Sequence, residues 1–150
     1  MANRSEPKLI PALYDVLQNE TFITISSMDR ETCAPVFHAI SWVYAKDEGT
    51  LLMAVDQRSR LVENVMENAA VTVCLLANES TYSISGKVVE VEQLQDVPLK
   101  LSLLKLKITE VRDVMFYGSK IVQAPKYDKT YDKDAAARLD RQVMEALKKA

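Results

Sequence analysis

Two hydrophobic periods alternate along this chain. Phe22 to Met28 switches between apolar and polar residues in the strand manner, with the adjacent pair Phe22 and Ile23 as the exception. A turn follows over Asp29 to Ala34, and Pro35 opens a second strand running to about Ala45. Lys46-Asp-Glu-Gly49 is a hairpin signal, with Gly49 as the residue able to take positive φ, and a third strand covers Thr50 to Val55. The period then lengthens. Leu61, Val62, Val65 and Met66 share one helical face, Ser59 is a suitable N-cap, and the helix should end near Asn68. Val71 to Leu76 is β-branched and apolar. Tyr82 to Val91 is a further strand with Tyr82, Ile84 and Val88 on one face, and Gly86 inside it predicts a bulge or a close backbone approach. Leu99 to Val114 alternates twice with a phase slip at Leu103-Leu104, which predicts one or two strands carrying a bulge.

Helices are expected at both ends. Pro11 suits a first helical turn, with Leu13, Val16 and Leu17 behind it, giving a helix at about 11–19. Tyr131 to Lys149 carries a stripe at Ala136, Leu139, Val143 and Leu147, with Asp132 as cap, giving a helix at about 132–149. No repeat, low-complexity tract or Pro/Gly/Ser linker divides the 150 residues, so one domain is expected over 1–150, with its barrel at about 21–117. About six mostly antiparallel strands with few helices do not make an alternating βαβ sheet. The expected class is mainly β, a closed or nearly closed β-barrel with peripheral α-helices.

Composition narrows the chemistry. A net charge of −2 gives no electrostatic footprint for nucleic acid and no basic face for a membrane. Gly49, Gly86 and Gly118 are too far apart for a G-x-G-x-x-G or a P-loop. His38 is the only histidine, and Cys33 and Cys74 stand alone, so no zinc spacing or C-x-x-C can be written. The first residues lack an apolar core for a secretory signal, and the longest weakly polar stretch, Ala69 to Ala77, is half a membrane span. A cytoplasmic protein is expected.

Candidate chemistry concentrates after the third strand. Arg58-Ser59-Arg60 sits at the start of the central helix, where unsatisfied N–H groups and the positive dipole end favour an anion. Arginine forks match phosphate oxygens two at a time. Cations at that end oppose the dipole, a misfit that hints at an anionic ligand; the plainer alternative pairs them with Glu63 or Asp56. His38 has no evident orienting partner for nucleophilic catalysis, and Glu90, Glu92, Asp96, Glu110 and Asp113 read as solvent-facing acids. Met115 to Lys120 could cap a pocket or pack back on the core. Lys126 to Lys133 mixes aromatic, basic and acidic residues whose charges cancel.

The stretch from Thr21 to about Val91 resembles the pyridoxamine 5′-phosphate oxidase-like, FMN-binding split-barrel family. Four features carry the resemblance: Phe22 to Ser26 followed by a turn and Pro35; a hairpin and strand ending before Arg58-Ser59-Arg60; the helix Leu61 to Val71 leading into a valine strand; and Tyr82 to Val91 with its internal glycine. The resemblance implies that Arg58, Ser59 and Arg60 grip the FMN phosphate and that the flavin ring lies against the backbone of His38, Ala39, Ile40 and Ser41. It places Val55 where a threonine hydroxyl commonly joins the phosphate, Cys33 at a usual glycine, and Ala69 at a usual proline. It further implies a homodimer with flavin where the subunits meet, and an FMN-dependent oxidoreductase. A true pyridoxamine 5′-phosphate oxidase would carry a further histidine for the substrate phosphate, which this chain lacks. The alternatives are a flavin-free dimeric binding or stress-response module, favoured by Val55, and a haem or deazaflavin binder on the same scaffold, with His38 as the haem ligand.

Overall fold

The computed structural model describes residues 4–150. The elements run β1 (Ser5–Glu6), α1 (Pro11–Val16), β2 (Ile23–Met28), β3 (Pro35–Ile40), β4 (Val43–Asp47), β5 (Thr50–Asp56), α2 (Arg60–Glu67), β6 (Ala70–Ala77), β7 (Ser80–Gln93), β8 (Leu101–Asp113) and α3 (Lys133–Lys149). Seven strands form one antiparallel path in the order β3-β2-β6-β7-β8-β5-β4, and β1 adds to β8. The single second strand expected from Pro35 to Ala45 is two strands, separated by Ser41 and Trp42. Its first half pairs with β2 and its second half with β5, at opposite ends of the path. The hydrogen-bonded sheet is therefore not closed, correcting the closed alternative. Its two edge strands are joined only through the Ser41–Trp42 corner.

The sheet curls around one apolar core that includes Ile23, Ile25, Leu51, Met53, Ile84, Leu104 and Leu106. A second cluster lies on the outside of β5 and β8. There Leu52, Ala54, Leu101 and Leu103 pack beneath Val143, Met144 and Leu147 of α3. This explains the apparent phase slip at Leu103-Leu104. Leu103 faces α3 and Leu104 faces the barrel interior, so both are buried and the period-2 signal is lost. The region is one strand. It does carry a bulge, but at Thr109, which the pairing skips between Ser85–Glu110 and Gly86–Ile108; a second slip skips Val89 on β7.

Local chemistry explains the connections. Ser59 caps α2 by accepting the Leu61 N–H on its Oγ at 3.1 Å. α1 is shorter than expected, ending at Val16, and Asp132 holds the N-cap position of α3 without a side-chain cap. Gly49 does not take positive φ; among the described glycines only Gly118 does. Instead its N–H donates to Asp47 Oδ1 at 2.8 Å, so a side-chain acceptor shapes that turn. Cys33 has φ of 60°, a conformation glycine would adopt at no steric cost. Among the described residues no helix is long and apolar enough to cross a membrane.

Gly86 is required by close approach. A Cβ there would run into the Lys107 backbone carbonyl, and 2.9 Å from Leu106 Cδ1. Because the obstacle is backbone, the strands must separate to admit a methyl group. Gly86→Ala should lower unfolding free energy by about 1–3 kcal/mol, the usual range for overpacking. Urea denaturation should show the transition midpoint falling at an unchanged slope.

Candidate functional site

Edge strands leave backbone groups unpaired, and here that edge meets a helix terminus. β3 has one strand neighbour, β2, so the N–H and C=O groups along its other edge have no ladder partner. A cavity of about 300 Å³ lies at the Ser41–Trp42 corner, at the lower end of ligand-pocket sizes. It is lined by His38, Ala39, Ile40, Ser41, Val55 and Ser59, so six of the eight sequence-predicted residues converge there. Trp42, Ala54 and Leu61 extend its apolar wall, and Asp56 and Lys129 bring charge to it.

The two arginines lie outside the lining. Arg58 is exposed, with its Nε 3.5 Å from Asp56 Oδ1, while its backbone N–H donates to the same oxygen at 2.8 Å. That N–H first, and the guanidinium second, hold the Asp56 carboxyl below its ordinary value. Arg60 reaches back from α2 to the buried Asp29 carboxylate in the β2–β3 turn. Glu63, one of the partners expected from sequence, takes neither. Asp29 also accepts the N–H groups of Thr32 at 2.9 Å and Glu31 at 3.2 Å, and the Thr32 hydroxyl at 3.0 Å. Beside it, the Arg30 N–H donates to Asn64 Oδ1 and Asn64 Nδ2 donates to Ser27 Oγ, fixing α2 against the turn. One guanidinium edge of Arg60 is thus committed to docking the helix.

His38 lines the cavity, and its Nδ1 is buried without a hydrogen-bond partner. A buried nitrogen without a partner favours a ligand atom able to meet it. A planar ring with polar edges and an anionic tail suits this combination: an orphaned nitrogen, an unpaired strand edge, an apolar wall, and Ser59 at a helix N-terminus with two arginines beside it. The residues present suit such a group by their chemistry.

A second charge group was not evident from the sequence. Lys129 Nζ donates to Glu20 Oε2 at 2.9 Å and to Asp140 Oδ1 at 3.1 Å. The Ser41 hydroxyl donates to the same Glu20 oxygen at 2.6 Å, and the Trp42 indole N–H to the same Asp140 oxygen at 3.0 Å. Burial alone would pull the Lys129 ammonium down, but its two carboxylate partners outweigh that and hold it above its ordinary value. Burial, then the Glu20 charge, pushes the neighbouring Tyr127 phenol up. The partners stand 109 and 11 residues from Lys129 in sequence, so no local pattern could have joined them. Met115 to Ser119, by contrast, line a different cavity with Asn78 to Ser80, Tyr82 and Asp113.

By sequence the chain matches no family model and no curated protein. By structure it matches several solved proteins. A "putative pyridoxamine 5′-phosphate oxidase" from Lactobacillus delbrueckii aligns at a TM-score of 0.61 and 15% identity, covering 74% of this chain and 98% of that one. The fold is the split barrel. An FMN-binding protein from Syntrophomonas wolfei aligns at 0.50 and 20% identity, covering 70% of this chain and 83% of that one. The flavin reductase PheA2 aligns at 0.51 and 11% identity, covering 77% and 96%. The fold expected from the resemblance is thereby borne out, with the sheet open rather than closed.

The Asp29 cluster has a defined pH signature. The Thr32 backbone N–H, outweighing the opposing effect of burial, lowers its carboxyl from the ordinary 3.8, with the Thr32 hydroxyl and Arg60 adding to it. A lowered folded-state value stabilises fully above the unfolded one and is lost as pH falls through the folded one. Asp29→Asn should therefore reduce stability at pH 5–7 and flatten the acid limb of the stability curve below about pH 4, as thermal melts across that range will read.

Proposed function

We propose that this chain binds FMN in the cavity at the Ser41–Trp42 corner and works as a flavin-dependent oxidoreductase. One observation carries the reading: the unpaired edge of β3 at His38 to Ile40 shares a single cavity with Ser41, with Val55 and with Ser59, the N-cap of α2. The ring would lie along the strand edge, and the phosphate would sit at Ser59 with Arg58 and Arg60 swinging over it. The flavin supplies hydride or electron transfer. The chain's own residues bind and orient the ring, exclude water through the Ile40, Trp42, Ala54 and Leu61 wall, and set the local charge. With His38 as the only histidine, oxidation of pyridoxamine phosphate is not part of the proposal.

The proposed active form is a homodimer. Phe37 is 74% exposed on β3, an apolar side chain on the same edge strand that borders the cavity, and a second copy could cover it. The second reading, a flavin-free binding module on the same dimer, draws on two observations. Val55 has no hydroxyl, and Arg58 and Arg60 already hold carboxylate partners.

Purified protein should be yellow, or take up added FMN, with flavin absorbance bands. A colourless sample that refuses FMN selects the second reading. Arg58→Ala should weaken FMN by about tenfold, as expected for one charge-assisted contact, and leave riboflavin, which lacks the phosphate, within twofold. Equal losses for both ligands contradict the phosphate assignment. Light scattering should give twice the 16.9 kDa chain mass. A monomer with full FMN affinity refutes an intersubunit site.

A further inference from the structure

The segment between β8 and α3 brings one cation back to the cavity, and it is held with care. Its course is fixed at intervals: the Val114 N–H donates to the Thr81 carbonyl and the Ile121 N–H to the Glu79 carbonyl, both at 2.9 Å. The Tyr127 ring then packs at a tilt of 44° against Phe22 with centroids 5.9 Å apart, which lays the segment over the barrel beside the cavity. Two residues later Lys129 enters the lining.

An ammonium has three donors. Lys129 gives two of them to Glu20 and Asp140. Nζ lies 5.7 Å from the Tyr127 centroid, near the limit of a cation–π contact, so the ring does not consume the third donor. Each carboxylate is itself fixed by a residue of the Ser41–Trp42 corner, the Glu20 one by the Ser41 hydroxyl and the Asp140 one by the Trp42 indole. The ammonium is therefore oriented from two sides. Two carboxylates around one ammonium leave the cluster one negative charge in excess, so an anionic ligand group is repelled and a neutral acceptor is preferred.

We propose that Lys129 is the ring-positioning residue of the cavity, donating its remaining N–H to a neutral carbonyl oxygen on the bound ring, while Glu20 and Asp140 aim it and hold the local charge negative. The assignment rests on the FMN reading above and deepens it: Ser59 and the arginines take the phosphate end, and Lys129 takes the ring end. Phosphate is irrelevant at the ring end. The excess negative charge also disfavours electron density added to the ring, so the cluster sets the reduction potential low.

Lys129→Met and Glu20→Gln separate this from a merely structural tether, because both remove the Lys129–Glu20 ion pair but change the cluster's charge in opposite directions. Lys129→Met should weaken FMN and riboflavin alike by about tenfold, the loss of one hydrogen bond to a charged donor, read by flavin fluorescence titration. The midpoint potential of bound flavin should fall in Lys129→Met and rise in Glu20→Gln. Affinities unchanged within twofold, a loss confined to FMN, or potential shifts of the same sign in both variants would overturn the proposal. Wild-type protein that binds neither flavin overturns the FMN reading and this assignment together. Wild-type protein that binds both, beside a Lys129→Met variant that loses neither, overturns this assignment alone.

Discussion

A β-strand can change neighbours only where its ladder is interrupted, and everything at the candidate site follows from one such interruption. At Ser41 and Trp42 the chain leaves β2 and joins β5. The corner strips β3 of a second neighbour and so leaves polar backbone uncovered. Such groups are costly in a dry interior and useful beside a ligand. The same corner presents a hydroxyl and an indole N–H, both answered by carboxylates that arrive from outside the barrel. The opening in the sheet and the cavity are one feature.

Charge around that opening is arranged in pairs. Arg58 and Arg60 each have an acidic partner, and Lys129 has two. An exposed pair such as Arg58–Asp56 is screened by water and can be exchanged for a ligand at little cost. Arg60 is different because its partner Asp29 is buried and shared with the β2–β3 turn. The arginines flanking Ser59 thus differ in freedom although the sequence presents them as equivalents: one is loosely held, and the other also positions the helix on which the site depends.

What could be read from the chain follows physical range. Period-2 and period-3.6 patterns placed most elements, because face burial repeats over neighbouring residues. The Ser59 cap and the close approach at Gly86 were legible, since a hydroxyl before an apolar helix and a glycine inside a strand each have few explanations. The Ser41–Trp42 corner was not: Pro35 to Ala45 keeps a strand-like pattern across it, and only pairing partners distinguish one strand from two. The slip at Leu103-Leu104 was a true signal with a different cause, a helix on the outer face. The Lys129 cluster joins residues from α3, the segment before it and the turn after α1, and no local rule encodes that meeting. Asp29 was hidden for the same reason, as its partner Arg60 arrives on another element.

The outer covering by α3 has an evolutionary corollary. A strand lined on one side can drift freely on its wet side, but β5 and β8 have no wet side where Leu52, Ala54, Leu101 and Leu103 meet Val143 and Leu147. Residues at the far end of the chain and residues in mid-barrel must therefore vary in concert, each substitution tolerated only in the company of its counterpart. Relatives that dispense with such a helix should carry polar side chains at the four strand positions, and a grafted barrel stripped of it would offer its bare stripe to whatever apolar surface came near.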